Sequence, residues 1–121
     1  MLVKRLKNCE EIVAGDMTLL REILNPRRTG INLSYSLAYA RVRPGHTSMQ
    51  HRLKTSSEVC FVLRGQGVMH VNDESEEVME GDTVYIPPNA IQYVRNSGNV
   101  ELEFLCMVSP PWRMEDEGSS D

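Results

Sequence analysis

The sequence predicts an all-β fold, a sandwich or barrel of short strands. Turn-forming residues break the chain at intervals of roughly eight to twelve residues, the rhythm of such folds. Between the turns the side chains alternate with a period of two. The clearest case is Ile31 to Val42, where Leu33, Tyr35, Leu37 and Tyr39 share one face and Ser34, Ser36, Ala38 and Ala40 the other. The length, 121 residues, suits one domain with a modest core.

Taken in order, residues 1–30 carry the weakest pattern and are expected to form an N-terminal strand or arm. Met17 to Leu24 reads as a strand or one short helix, and Asn25-Pro26 ends it in either case. After Ile31 to Val42, Pro44-Gly45 breaks the chain. The polar stretch His46 to Ser57 leads into Glu58 to Leu63, which is rich in β-formers. Gly65-Gln66-Gly67 turns tightly into Val68 to Val71. Asn72-Asp73 begins another turn, and Glu74, Glu76, Glu77 and Glu80 read as a solvated rim. Gly81-Asp82 precedes Thr83 to Ile86. Ile91 to Arg95 and Val100 to Val108 are the last strands, and Pro110-Pro111 stops the second. Beyond Trp112 the chain is acidic and small-residue, and residues 113–121 are expected to fray.

Composition removes several function classes. Hydrophobic residues are 40% and charged residues 25%, an ordinary globular balance. The net charge of -4 argues against nucleic acid as a partner, since such proteins present basic patches. No apolar run approaches the ~20 residues of a membrane helix. Met1 to Lys7 is basic with no apolar segment after it, so no signal peptide is expected. Cys9, Cys60 and Cys106 are odd in number and widely spaced, which fits neither a disulfide framework nor a metal knuckle. Cys60 and Cys106 are expected as small buried hydrophobes, and a cytoplasmic location is expected.

Strand parity assembles a candidate site. Glu58, Cys60 and Val62 share a face, as do Gln92, Val94 and Asn96. His51 and Leu53 share one if their segment is extended. Paired hairpins would bring His51, Glu58 and Gln92 together inside a barrel large enough for a ligand. The spacing of the surrounding residues is distinctive. Pro44-Gly45 is followed after five residues by His51, and Glu58 after six by Gly65. Gly81-Asp82, Ile86-Pro87-Pro88-Asn89, Gln92 and Asn96 follow.

This pattern resembles the two motifs of the cupin superfamily. The resemblance implies a double-stranded β-helix, or jelly-roll, over residues 1–121 as a single cupin domain with a core at about 31–112. It also implies a homodimer. Asn89 stands where cupins usually carry Gly, and Asn is the next best residue for a positive φ. Cupins hold Fe, Mn, Ni, Zn or Cu through two His in the first motif, a Glu, and a His in the second. The matching positions here are His51, Leu53, Glu58 and Gln92. Leu53 cannot ligate, and Gln92 offers only a neutral carbonyl oxygen. A divalent Ni, Zn, Fe or Mn on His51, Glu58 and Gln92 would therefore be weakly held or absent.

Two readings of function stay open. In one, His51, Leu53, Glu58 and Gln92 line a pocket that binds a small molecule, a carbohydrate or organic acid. In the other, the protein is an isomerase, epimerase, lyase or dioxygenase acting on a sugar or small acid, with or without metal. Glu58 and His51 would then be the catalytic candidates. A sensory or scaffold domain is a third possibility, but no helix-turn-helix or basic segment accompanies it. The tyrosines Tyr35, Tyr39, Tyr85 and Tyr93 are expected as walls. His70 and His46 are further imidazoles, the latter at the barrel mouth.

Overall fold

The alternation read from the sequence is realised as eleven strands in two antiparallel sheets, seen in a computed structural model that describes residues 1–119. The strands are β1 (Glu11–Val13), β2 (Leu19–Leu24), β3 (Ser36–Val42), β4 (His51–Leu53), β5 (Ser57–Arg64), β6 (Gln66–Val71), β7 (Glu74–Met79), β8 (Thr83–Ile86), β9 (Gln92–Asn96), β10 (Leu102–Ser109) and β11 (Glu117–Ser119). One sheet runs β1-β2-β3-β10-β5-β8 and the other β11-β4-β9-β6-β7. This is the jelly-roll arrangement that the resemblance implied. Residues from both sheets form its core, among them Val42, Val62, Met69, Val78, Val94, Leu102 and Phe104.

The motif glycines and Asn89 serve the turns. Asn89 takes φ 68°, the left-handed conformation expected of it. Gly45 lies at φ 77° with open space where a Cβ would be. Gly65 lies at φ 86° with the Glu101 carbonyl oxygen only 2.5 Å from that position. Gly65 is therefore required twice, for its dihedral and for a close backbone approach.

The N-terminal segment forms strands β1 and β2, and the short helix α1 (Pro26–Thr29) follows. Asn25 caps that helix by accepting from the Arg27 N–H, with Pro26 at its first position. Arg41 ties β1 to the sheet. Its guanidinium contacts Glu11 at 2.7 Å and Glu101 at 2.8 Å, and the Arg41 hydrogen bond holds the Glu11 carboxyl down at about 2. Strand β7, at the outer edge of its sheet, exposes Glu74, Glu76 and Glu77. No described helix is long and apolar enough to cross a membrane.

Two expectations are corrected. The strand predicted from Ile31 begins at Ser36, because residues 31–35 lie outside any ladder and Tyr35 is exposed. Alternation alone did not reveal where pairing starts. The predicted fraying tail is docked. Met114–Asp116 makes a 3-10 turn, and β11 pairs with β4 through Glu117↔Leu53, Gly118↔Arg52 and Ser119↔His51. Asp116 is the anchor. Its carboxylate accepts from the Thr55 N–H (2.8 Å), the Thr55 hydroxyl (2.7 Å) and the Ser56 N–H (3.0 Å). The last two residues, where fraying was also expected, lie outside the described residues.

Candidate functional site

Between the sheets lies a cavity of about 450 Å³, and His51, Leu53, Glu58 and Gln92 all line it. Three strands supply them. Glu58 opens the inward face of β5, Gln92 opens that of β9, and His51 stands opposite Gln92 in the ladder of β4 and β9. Glu58 is 8% exposed, Gln92 5% and Leu53 3%. Gln92 donates from Nε2 to Glu58 Oε1 at 3.1 Å. The Cys60 thiol donates to Glu58 Oε2 at 3.3 Å. Burial pushes the Glu58 carboxyl above the usual carboxylate range; the His51 charge and the donors from Gln92 and the thiols offset that only in part.

Sequence reasoning missed Asp16. This residue sits in the β1–β2 connection and lines the same cavity. Its Oδ2 lies 3.7 Å from His51 Nδ1, and its Oδ1 is held by the Thr18 N–H (3.0 Å) and hydroxyl (2.7 Å). Its carbonyl accepts from the Met49 N–H at 2.7 Å, which fastens the arm to the segment entering β4. Nothing in the local pattern of Gly15-Asp16 marks it, since the contact depends on how the arm folds back.

Cys60 and Cys106 are buried in the core as expected, with the Glu58 carboxyl as a polar neighbour. They face each other in the β5–β10 register and line the cavity. Their sulfur atoms and a Glu58 oxygen all lie within 4.8 Å of one another. The Cys60–Cys106 hydrogen bond lowers the Cys106 thiol, but burial and the Glu58 charge push it up to about 11. Parity had put Cys60 beside Glu58, and that was the available signal.

The other expected residues scatter. His70 stacks on Tyr93 with ring centroids 4.1 Å apart. His46 is exposed in a turn. Of the tyrosines, Tyr93 lines the cavity, Tyr39 is buried with its hydroxyl on Glu103, and Tyr85 is exposed. Trp112 packs the terminal segment down, donating from Nε1 to Glu117 at 2.8 Å and from its N–H to Ser36 at 2.9 Å.

Residues 38–108 match the family model described as "Cupin domain". The chain is a cupin. An uncharacterized protein of Methanocaldococcus jannaschii is 38% identical to this cupin over 104 residues, 86% of this chain and 82% of that one. The oxalate-binding protein of Thermotoga maritima is 27% identical over 77 residues, 64% of each chain. Among solved structures, the nucleoside dehydratase Pac13 of Streptomyces superposes with a TM-score of 0.77 at 22% identity. That match covers 98% of this cupin and 89% of Pac13, and it bears on fold alone.

The usual metal set of the family does not fit here. Leu53 puts hydrocarbon where a second imidazole would stand. Gln92 commits its amide nitrogen to Glu58, and the contacts of His51 run through Nδ1 to Asp16 and Met49. One imidazole and one carboxylate do not make a tight nitrogen-and-oxygen site. Leu53→His is accordingly expected to raise Ni(II) affinity at least about tenfold, ~1.4 kcal/mol, by isothermal titration calorimetry. No gain would show that position 53 does not aim at the Glu58 side of the cavity.

Proposed function

We propose that this cupin binds a small polar molecule, an organic acid or carbohydrate, in the cavity between its sheets. The Glu58–Gln92 pair carries the reading. It sets a proton-accepting and an amide group side by side in an otherwise largely apolar enclosure, the pattern of a pocket that orients a hydroxyl or carboxyl group. Leu53, Met69, Val94 and Phe104 give that pocket its dry wall. The oxalate-binding relative supports the organic-acid half of the proposal.

The test is direct titration with oxalate, uridine and neutral monosaccharides, read by thermal shift and by NMR. Stabilisation by at least one of these compounds is expected. Glu58→Gln is expected to weaken that ligand by roughly 10- to 100-fold, the worth of a hydrogen bond to a charged group. Binding that is indifferent to Glu58 would remove the pocket assignment.

A second reading is metal-free proton transfer, as in a lyase, isomerase or epimerase. The Asp16–His51 contact favours it. A carboxylate beside Nδ1 orients the ring, and a raised carboxyl on Glu58 supplies a group able to hold a proton. Here His51 and Glu58 would be the catalytic residues and Asp16 a positioning residue. Ligand turnover, seen as a new product in the same NMR samples, separates this reading from binding alone. We keep homodimerisation within the proposal, supported by the open outer strands β1 and β8.

A further inference from the structure

We infer that the Glu58 side of the cavity is a thiolate metal site, with Cys60 and Cys106 as the soft ligands and Glu58 as the hard one. It shares Glu58 with the two-motif set that Leu53 and Gln92 have dismantled, but takes its other donors from thiols instead of imidazoles. Three observations carry it.

The first is geometric. Cys60 and Cys106 face each other across β5 and β10, and the ligand atoms of Glu58, Cys60 and Cys106 all lie within 4.8 Å of one another. Sulfurs on a tetrahedral Zn(II) with bonds of about 2.3 Å stand about 3.8 Å apart, so small side-chain rotations suffice. The second is electrostatic. Glu58 is buried, yet among the described residues no Lys or Arg lies within ion-pair distance of it. Its hydrogen-bond partners are a neutral amide and a neutral thiol. Burial makes the charged form of Glu58 costly and His51 offsets that only in part, so a cation at this point would offset it further. The third is access. All three residues line the cavity.

The donor set selects the ion. Two thiolates and a carboxylate, with a fourth position open to the cavity, suit Zn(II) and its spectroscopic substitute Co(II), and disfavour Mg(II) and Ca(II). Each thiol gives its proton to solvent as its sulfur ligates. The inference shares Glu58 with the small-molecule reading but does not rest on it, since its ligands come from β5 and β10 alone.

The experiment is titration of reduced, tag-free protein with Co(II), followed by displacement with Zn(II). One equivalent per chain is expected, with thiolate-to-cobalt charge-transfer absorption in the near ultraviolet that Zn(II) abolishes. Cys60→Ser and Cys106→Ser should each lose that absorption, and Cys9→Ser should keep it. The wild-type spectrum decides the matter even if a variant folds poorly. Binding without the charge-transfer band would place the ion on His51 and Glu58 alone and overturn the inference, and so would no binding by folded protein. Failure of oxalate, uridine and the monosaccharides alike, while cobalt binds through sulfur, would sink the ligand proposal and leave this one standing.

Discussion

Asp116→Ala is expected to destabilise the protein by about 3 kcal/mol, because two backbone N–H groups and a hydroxyl lose a charged acceptor at a buried position. Urea denaturation at neutral pH measures this, and a loss under about 1 kcal/mol would contradict the anchoring role. The effect should reach the site. Strand β4, which carries His51 and Leu53, meets β9 at one registered pair but meets β11 at three. Releasing β11 leaves β4 an edge, so the amides of residues 51–53 should lose hydrogen-exchange protection before the core does. The dependence on pH has a definite sign. Burial raises the Asp116 carboxyl, but the donors from Thr55 and Ser56 outweigh it and hold the group below its ordinary value. Its contribution is therefore present above the ordinary carboxylate range and lost as pH falls through the lowered folded value. Asp116→Ala should remove that part of the acid sensitivity.

Gly65→Ala is expected to cost about 3 kcal/mol, the sum of a positive-φ penalty and a clash with backbone. The Glu101 oxygen at 2.5 Å and the Leu102 Cα at 3.1 Å belong to the chain entering β10, which cannot rotate away as a side chain would. Gly45→Ala is the control. Its φ is similar, but nothing lies within 4 Å, so about 1 kcal/mol is expected. Equal losses at the two positions would mean that dihedral strain alone explains both motif glycines. Thermal denaturation of the pair decides it.

Much of this was legible in the sequence, for definite reasons. Strand alternation is strict, so parity placed His51, Glu58 and Gln92 on inward faces before any coordinates. The glycine and Asn89 positions reported turns whose dihedrals few other residues accept. What stayed hidden depended on long-range closure. Asp16 reaches His51 only because the β1–β2 connection folds back onto the segment entering β4, and Asp116 reaches Thr55 from 61 residues away. An acidic, small-residue tail looks solvated until the buried carboxylate of Asp116 is seen to hold a turn. Cys60 and Cys106 pack in the core as expected, but neither strand read alone shows that they meet. The register between β5 and β10 is what makes them a pair.

The row of glutamates on β7 has one more consequence. An outermost strand with free backbone donors and acceptors can template the same strand of another molecule and start a ribbon. Here such an approach would set Glu74, Glu76 and Glu77 of one copy against those of the next, and like charges directly opposed repel. Crowded copies are thus steered away from stacking along this flank, and that protection weakens in strong acid or high salt, where carboxylates are neutralised or screened.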